Sequence, residues 1–283
     1  MKNLNYLFNV DYYSELKNTH FEYCNDLIIK QQWIDPTERP TNNASAEPIL
    51  FADADNFFML KTVYPGLLIG LGYTHGIGKE FFKVVSDEGT EIKLGFTLDF
   101  VTGLPIIPGS TVKGVLHSAF VNHSDYVQYL FEKFLLDHNL AQFTEIVFGS
   151  PDSMSQLTKR MFGSPDSMGR CIFYDAIPVK ANSKRRLLGI EYITPHKAPD
   201  SAFDGLTNPI PLALLKVLPG VSFLFRFGFD KLGLGKGDKD AAKEVFERIL
   251  ITLGIGAKTN VGFGALEHDD SHIPKYMLTP LDL

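Results

Sequence analysis

Hydrophobic spacing divides the chain into stretches of different period. Leu4, Leu7, Phe8, Leu16 and Leu27 predict one or two helices within residues 4–32. The polar run DPTERPTNNASAEP (35–48) predicts a connector. NFFMLKTVYPGLLIGLGY (56–73) is aromatic and β-branched with Pro65-Gly66 in its middle, which predicts a strand, a turn or bulge, and a second strand. EIKLGFTLDFVTGLPIIPG continues in the same idiom. At Ser110, in N-cap position, the period changes, and Val112, Val115, Leu116, Ala119 and Phe120 recur at helical spacing. The helical pattern continues through 125–143.

The middle of the chain carries a repeat, FGSPDSM, at 148–154 and again at 162–168. Ser-Pro-Asp-Ser is turn chemistry, so the repeat reads as a duplicated loop rather than a solenoid. Asp152 and Asp166 could also be read as paired catalytic carboxylates, but both follow prolines in turns, where Asp serves local hydrogen bonds. RCIFYDAIPV (170–179) predicts a strand, and PIPLALLKVLPGVSFLFRFGF (209–229) two strands joined at Pro219-Gly220. LGLGKGDKD (232–240) reads as a loop. Ala241, Val245, Ile249 and Leu253 then mark an amphipathic helix over 240–255. The glycine-rich LGIGAKTNVGFGAL (253–266) leads into a final strand. Strand, long helix, strand-rich middle, helix, strand is the order of an α+β, ferredoxin-like βαββαβ core with long insertions.

Composition narrows the class. Hydrophobic residues make up 45% of 283 and charged residues 21%, a globular balance. No apolar run approaches the roughly 18–20 residues of a membrane span. Asn3, Asn5, Asn9 and Asp11 interrupt the opening segment, so it lacks the apolar stretch of a signal peptide. Cys24 and Cys171 stand apart from any CxxC or Cys/His cluster, which leaves a disulfide framework and a zinc site unsupported. A soluble, cytoplasmic protein without metal or cofactor is expected.

The net charge of −6 speaks against a simple basic nucleic-acid binder. Charge is uneven, however. Residues 1–55 hold four Lys/Arg against nine Asp/Glu, leaving 23 against 24 in the remainder. Within that remainder KANSKRRLLGIEYITPHK (180–197) has five Lys/Arg and one Glu, a local basic patch.

The glycine stretch is not a nucleotide loop. A Walker A lysine directly follows glycine, whereas Ala257 separates Gly256 from Lys258, and here the stretch follows a helix instead of opening one. A dinucleotide fingerprint fails where Thr259 replaces the last glycine. Two readings remain open. Gly254, Gly256, Gly262 and Gly264 could let a backbone approach closely within the protein, or free N–H groups with Lys258, Thr259 and Asn260 could cradle an extended anion such as RNA. IPGSTVKGVL (107–116) adds a second phosphate-friendly element, with Gly109 and Ser110 opening a helix and Lys113 on its first turn. An ordinary N-cap explains that element equally well by itself. The two together favour an RNA backbone.

YPGLLIGLGYTHG, LGFTLDFVTGLPIIPGSTVKGVLHSAF, GRCIFYDAIP, ITPH and GIGAKTNVGFG, in this order, resemble the RAMP superfamily of CRISPR-associated proteins. The pattern D..TGLP.IPGS..KGVL is most similar to the subunit-six family of the Cmr (type III-B) effector complex, and the resemblance runs from about residue 56 to 268. It implies an RRM-type core over 56–268, an N-terminal helical segment and linker over 1–55, and a tail over 269–283. It further implies a thumb hairpin around 180–205. Such a subunit is a non-catalytic scaffold that caps a protein filament, contacts CRISPR guide RNA and target RNA, and abuts other Cmr subunits. On this resemblance the RNA-binding residues are Gly109, Ser110 and Lys113, then Gly256, Lys258, Thr259, Asn260 and Gly262, with Arg185, Arg186 and His196 in or near the thumb. His117 stands where many relatives carry arginine, and the duplicated loop is not a family feature.

An enzyme remains an alternative, because other RAMP proteins are metal-independent endoribonucleases that process CRISPR transcripts. His75, His117, His123, His138 and His196 are candidate proton-transfer groups, and none has a paired second group in the sequence. Asp99 reads as a turn former. A third alternative is a protein–protein adaptor whose glycine loop only packs.

Overall fold

A computed structural model of the chain describes residues 56–69, 74–77, 90–94, 97–99, 104–138, 153–184, 187–193 and 212–270. The helices and connector expected within 4–48 lie outside these residues. The first strands are β1 (Phe57–Thr62), β2 (Thr74–Ile77), β3 (Thr90–Leu94), β4 (Thr97–Leu98) and β5 (Pro105–Ile106). Helices α1 (Gly109–Asn122), α2 (Ser124–His138) and α3 (Ser153–Phe162) follow. Next come β6 (Gly163–Ser164), β7 (Ser167–Met168), β8 (Ile172–Phe173), β9 (Ile177–Lys180) and β10 (Leu188–Ile193). The described chain ends with β11 (Leu212–Val217), β12 (Ser222–Gly228), α4 (Lys236–Leu253) and β13 (Leu266–His268).

The sequence FFMLKT of β1 alternates two sets of side chains, so both faces of the strand are largely apolar. That suits a strand paired on both edges. β1 runs antiparallel to β12, with Phe58 opposite Phe225, and to β13, with Thr62 opposite Leu266. The far edge of β12 takes β8 and β9, with Phe227 opposite Phe173 and Leu224 opposite Ile177. The single strand expected over 170–179 is therefore broken at Tyr174–Ala176, where Ile107 bridges to Ala176 instead. Counting β8 and β9 as one broken strand, the chain order is β-α-β-β-α-β. The spatial order is fourth, first, third, second, antiparallel throughout.

Helices α1 and α4 cover one face of this sheet. Val112, Leu116, Ala119 and Phe120 of α1 and Ala242, Val245, Phe246, Ile249 and Leu250 of α4 meet Phe58, Leu60, Phe223, Phe225 and Phe227. Phe246 sits among aromatic rings, 5.1 Å from Phe227, 5.9 Å from Phe229 and 6.0 Å from Phe173 between centroids. Such pairs add to simple burial of area. On the opposite face Met59, Val179 and Leu224 form a second buried cluster with Phe57 and Ile177 packed on it.

Pro219-Gly220 does join two strands, but it does not close a hairpin. β11 belongs to a separate sheet, ordered β10-β11-β3-β2, while β12 belongs to the central one. Leu67 and Val217 exchange backbone bonds of 3.0 Å each, and Leu218 donates to the Leu187 carbonyl at 2.8 Å, which directs β11 away from β12. Helix α4 begins at Lys236, inside the expected loop, because the Asp238 carboxylate accepts the Gly235 N–H at 3.1 Å and fixes the first turn. The long helical pattern after Ser110 divides at His123, whose φ of −132° and ψ of 40° separate α1 from α2. The second FGSPDSM copy is a turn as expected, a β6–β7 hairpin with Pro165 and Asp166 exposed at its tip. Of the first copy, Ser153 and Met154 open α3, and Asp152 lies outside the described residues. Among the described residues no helix is long and apolar enough to cross a membrane.

Candidate nucleic-acid interface

The glycine stretch is folded back on its own protein. After α4, Ile255 donates to the Gly264 carbonyl at 2.9 Å, closing the stretch into a loop. That loop is tied to the turn following β1: Ala257 donates to Leu68 at 2.6 Å, Gly264 to Gly66 at 2.8 Å, and Val63 to Ala265 at 3.0 Å. A Cβ on Gly256 would overlap the Leu68 carbonyl, and one on Gly264 would overlap the Ile255 carbonyl. Close approach within the protein therefore accounts for these glycines.

The loop presents a short turn outward. Lys258 adopts the left-handed conformation, with φ 59° and ψ 35°, and Thr259–Val261 follow as one 3-10 turn. No other non-glycine residue among those described has a positive φ. For a lysine this conformation costs about 1–2 kcal/mol. A left-handed residue followed by a right-handed turn makes successive N–H groups converge, the geometry of an anion nest. Val261 and Gly262 donate within the turn, at 3.1 and 2.9 Å. Among the described residues no acceptor meets the N–H groups of Lys258, Thr259 and Asn260. All three side chains are exposed. Beneath the loop, buried Lys216 pairs with Glu191 at 2.5 Å and lies 5.7 Å from the centre of the Phe263 ring.

Helix α1 opens earlier than expected, with Pro108 rather than Ser110 in the N-cap position and no side-chain cap. Gly109 donates its N–H to Asp175 Oδ1 at 2.7 Å, while Thr111 and Val112 donate to the Pro108 carbonyl at 2.8 and 3.1 Å. Asp175 thus occupies the place where a phosphate would meet the helix dipole. A Cβ on Gly109 would overlap the Phe173 carbonyl, so this glycine too serves packing. Ser110 and Lys113 remain exposed. Lys113 and His117 rim a groove that also takes in Lys159, Phe162 and Met168, and the His117 ring lies 5.3 Å from that of Phe162. Burial pushes the Cys171 thiol up, against the opposing charge of Lys113.

The two elements stand at different places along β12. The glycine loop lies beyond the end of β12 where Ser222 faces Lys61, and the first turn of α1 lies against Phe173, opposite Phe227 near the other end. Five residues at about 3.3 Å each amount to roughly 16 Å along the strand. Gly256, Lys258, Thr259, Asn260 and Gly262 come together in one turn; Gly109, Ser110 and Lys113 form another locality. Arg185, Arg186 and His196 lie outside the described residues. Sequence reasoning missed Asp175, whose signal was a carboxylate in the motif FYDAIP, and Tyr64, which precedes the Pro65-Gly66 turn that holds the loop.

Two further titratable groups are engaged by neighbours. His268 is bound through Nδ1 to Glu247 and through Nε2 to Asp270 at 2.8 Å, and the Glu247 hydrogen bond raises its pKa above 6.5. Arg226 lies under the Tyr174 ring, 5.0 Å from its centre, and burial lowers its pKa to about 10. No group of three or more His, Cys, Asp or Glu side chains able to hold a metal occurs among the described residues.

The sequence model of the RAMP superfamily matches residues 59–267, from the middle of β1 into β13. The chain belongs to the RAMP superfamily. No curated protein matches it. Among solved structures, a chain of the type III-B Cmr-beta complex bound to cognate target RNA, determined by cryo-electron microscopy, is 22% identical with a TM-score of 0.48. That match covers 77% of the present RAMP protein and 59% of the other chain, so the protein spans less than two thirds of that relative's length. Cmr6 from Pyrococcus furiosus, a crystal structure, is 23% identical with a TM-score of 0.41, covering 75% of this chain and 97% of that one.

Proposed function

We propose that this RAMP protein is a non-catalytic, RNA-binding scaffold subunit of a type III-B CRISPR (Cmr) ribonucleoprotein complex. In this reading it caps the protein filament, contacts guide RNA and its target, and does so from a ferredoxin-like, RRM-type core. The observation that carries the reading is the Lys258–Asn260 turn: three N–H groups and a cation, held outward by a loop whose glycines are used for packing. Such a turn accepts a phosphate of any sequence, as a guide-binding scaffold requires. RRM domains commonly stack bases on the sheet face away from the helices. Here Met59, Val179 and Leu224 on that face are buried, which favours contact through loops.

Co-purification tests the proposal. The full chain, tagged and expressed in a host that carries a type III-B locus, should bring down other Cmr subunits and a CRISPR RNA identified by sequencing. Absence of both under mild salt overturns the reading. Incubation of the purified chain with labelled repeat RNA in the presence of a chelator tests the non-catalytic part, since site-specific cutting would make the protein an endoribonuclease instead.

A further inference from the structure

The turn to which the glycine loop is bonded carries an exposed aromatic side chain. Tyr64 is 80% exposed, and Val261 on the turn is 67% exposed. The backbone around Tyr64 is fixed to the glycine loop from both sides, by the bond from Val63 to Ala265 at 3.0 Å and the bond from Gly264 to Gly66 at 2.8 Å. Pro65, the next residue, lies against Gly262. The ring is thus carried on a fixed backbone while remaining open to solvent. Residues 57–69 and 253–266 contain no Asp or Glu, and Glu267 and Glu191 nearby are each paired with a lysine, Lys61 and Lys216.

An aromatic on a turn bonded to a loop that carries a cation and open N–H groups has the makings of a single-strand platform: the base stacks on the ring while the phosphate is held beside it. A base inside a duplex is already stacked on both faces and offers none. We propose that Tyr64 stacks on the base of an unpaired RNA nucleotide whose adjoining phosphate is held by the N–H groups of Lys258, Thr259 and Asn260. This rests on the RNA-binding reading above. A protein partner is the less favoured occupant, because a nest of open N–H groups beside a lysine matches an anionic backbone better than a neutral surface.

The test titrates the full chain with a fluorescein-labelled unpaired RNA of about 16 nucleotides, and with the same strand annealed to its complement, between about 50 and 200 mM salt. Tyr64→Ala should weaken binding of the unpaired strand roughly five- to hundredfold, with an unchanged salt slope and unchanged duplex binding. Tyr64→Phe should bind as the wild type does. Lys258→Gln should weaken both RNAs and lower the salt slope by about one. If Tyr64→Ala binds normally while Lys258→Gln is weakened, stacking is wrong and the RNA-binding reading stands. If the wild type binds neither RNA at the lowest salt, or neither variant differs from it, the RNA-binding reading of this turn falls as well. Loss of a protein subunit, with RNA retained, from a complex purified with Tyr64→Ala would assign the ring to a protein partner and overturn the inference.

Discussion

Ala257 donates its backbone N–H to the Leu68 carbonyl at 2.6 Å, and this bond fixes the glycine loop to the turn after β1. Gly256, its neighbour, has φ 96° and no room for a Cβ beside that same carbonyl. Gly256→Ala should therefore destabilise the protein by at least about 1–3 kcal/mol, read as a lower denaturant midpoint. An unchanged midpoint would mean that the glycine is kept for a ligand rather than for packing.

Lys258 gives the opposite expectation. Its left-handed backbone suits glycine better, so Lys258→Gly should be neutral or stabilising by up to about 1–2 kcal/mol in thermal or denaturant unfolding. RNA affinity should fall in the same variant. Stability and binding moving in opposite directions would separate a functional lysine from a structural one.

Because roughly 16 Å of strand separates the Lys258 turn from the start of α1, the two localities should act independently. Lys113→Gln and Lys258→Gln should change the free energy of RNA binding additively, within about 0.3–0.5 kcal/mol. A larger coupling would show that both lysines hold the same phosphate.

His268 links β13 to Glu247 of α4, and its folded-state pKa is raised above the ordinary 6.5, first through that hydrogen bond. A raised folded value means the stabilisation is fully present below about 6.5 and is lost as pH rises through the folded pKa. The stability gap between wild type and His268→Gln should accordingly shrink as pH increases across that window. The side chain is 52% exposed, so the gap should also shrink with added salt.

Phe246 supplies a control on the core. Removing its ring leaves a cavity among Phe227, Phe229 and Phe173, and Phe246→Ala should cost about 3–5 kcal/mol in unfolding experiments.

Much of this architecture was legible in the chain. The apolar run in FFMLKT and the near-four spacing from Ala241 to Leu253 report local burial, which one strand or helix expresses by itself. The same spacing could not locate the start of α4, because Gly235 and Gly237 read as loop. The Asp238 carboxylate decided that boundary through one hydrogen bond. Nor could it tell that β11 and β12 part company at Pro219-Gly220, since a hairpin and a sheet switch share the same turn residues. The candidate site was half visible. Lys258, Thr259 and Asn260 stood out as a cluster, but nothing local distinguished glycines that admit a ligand from glycines that admit Leu68.

By itself, then, the sequence determined periods, turns, the order of strands and helices, and the motifs that carry family membership. Those properties depend on neighbours a few residues away. Tertiary structure alone decided which groups stay open to a ligand. It set Asp175 on the Gly109 N–H across 66 positions of chain, filling the first donor of that helix. It placed one Ser-Met pair of the repeated heptapeptide in α3, at 153–154, and the other in β7, at 167–168. And it bound the glycines of 254–264 to their own protein while turning Lys258 and Tyr64 outward. The physical reason is the same in each case: a backbone group is free or filled according to what the rest of the fold brings to within about 3 Å of it, and local sequence does not contain that distance.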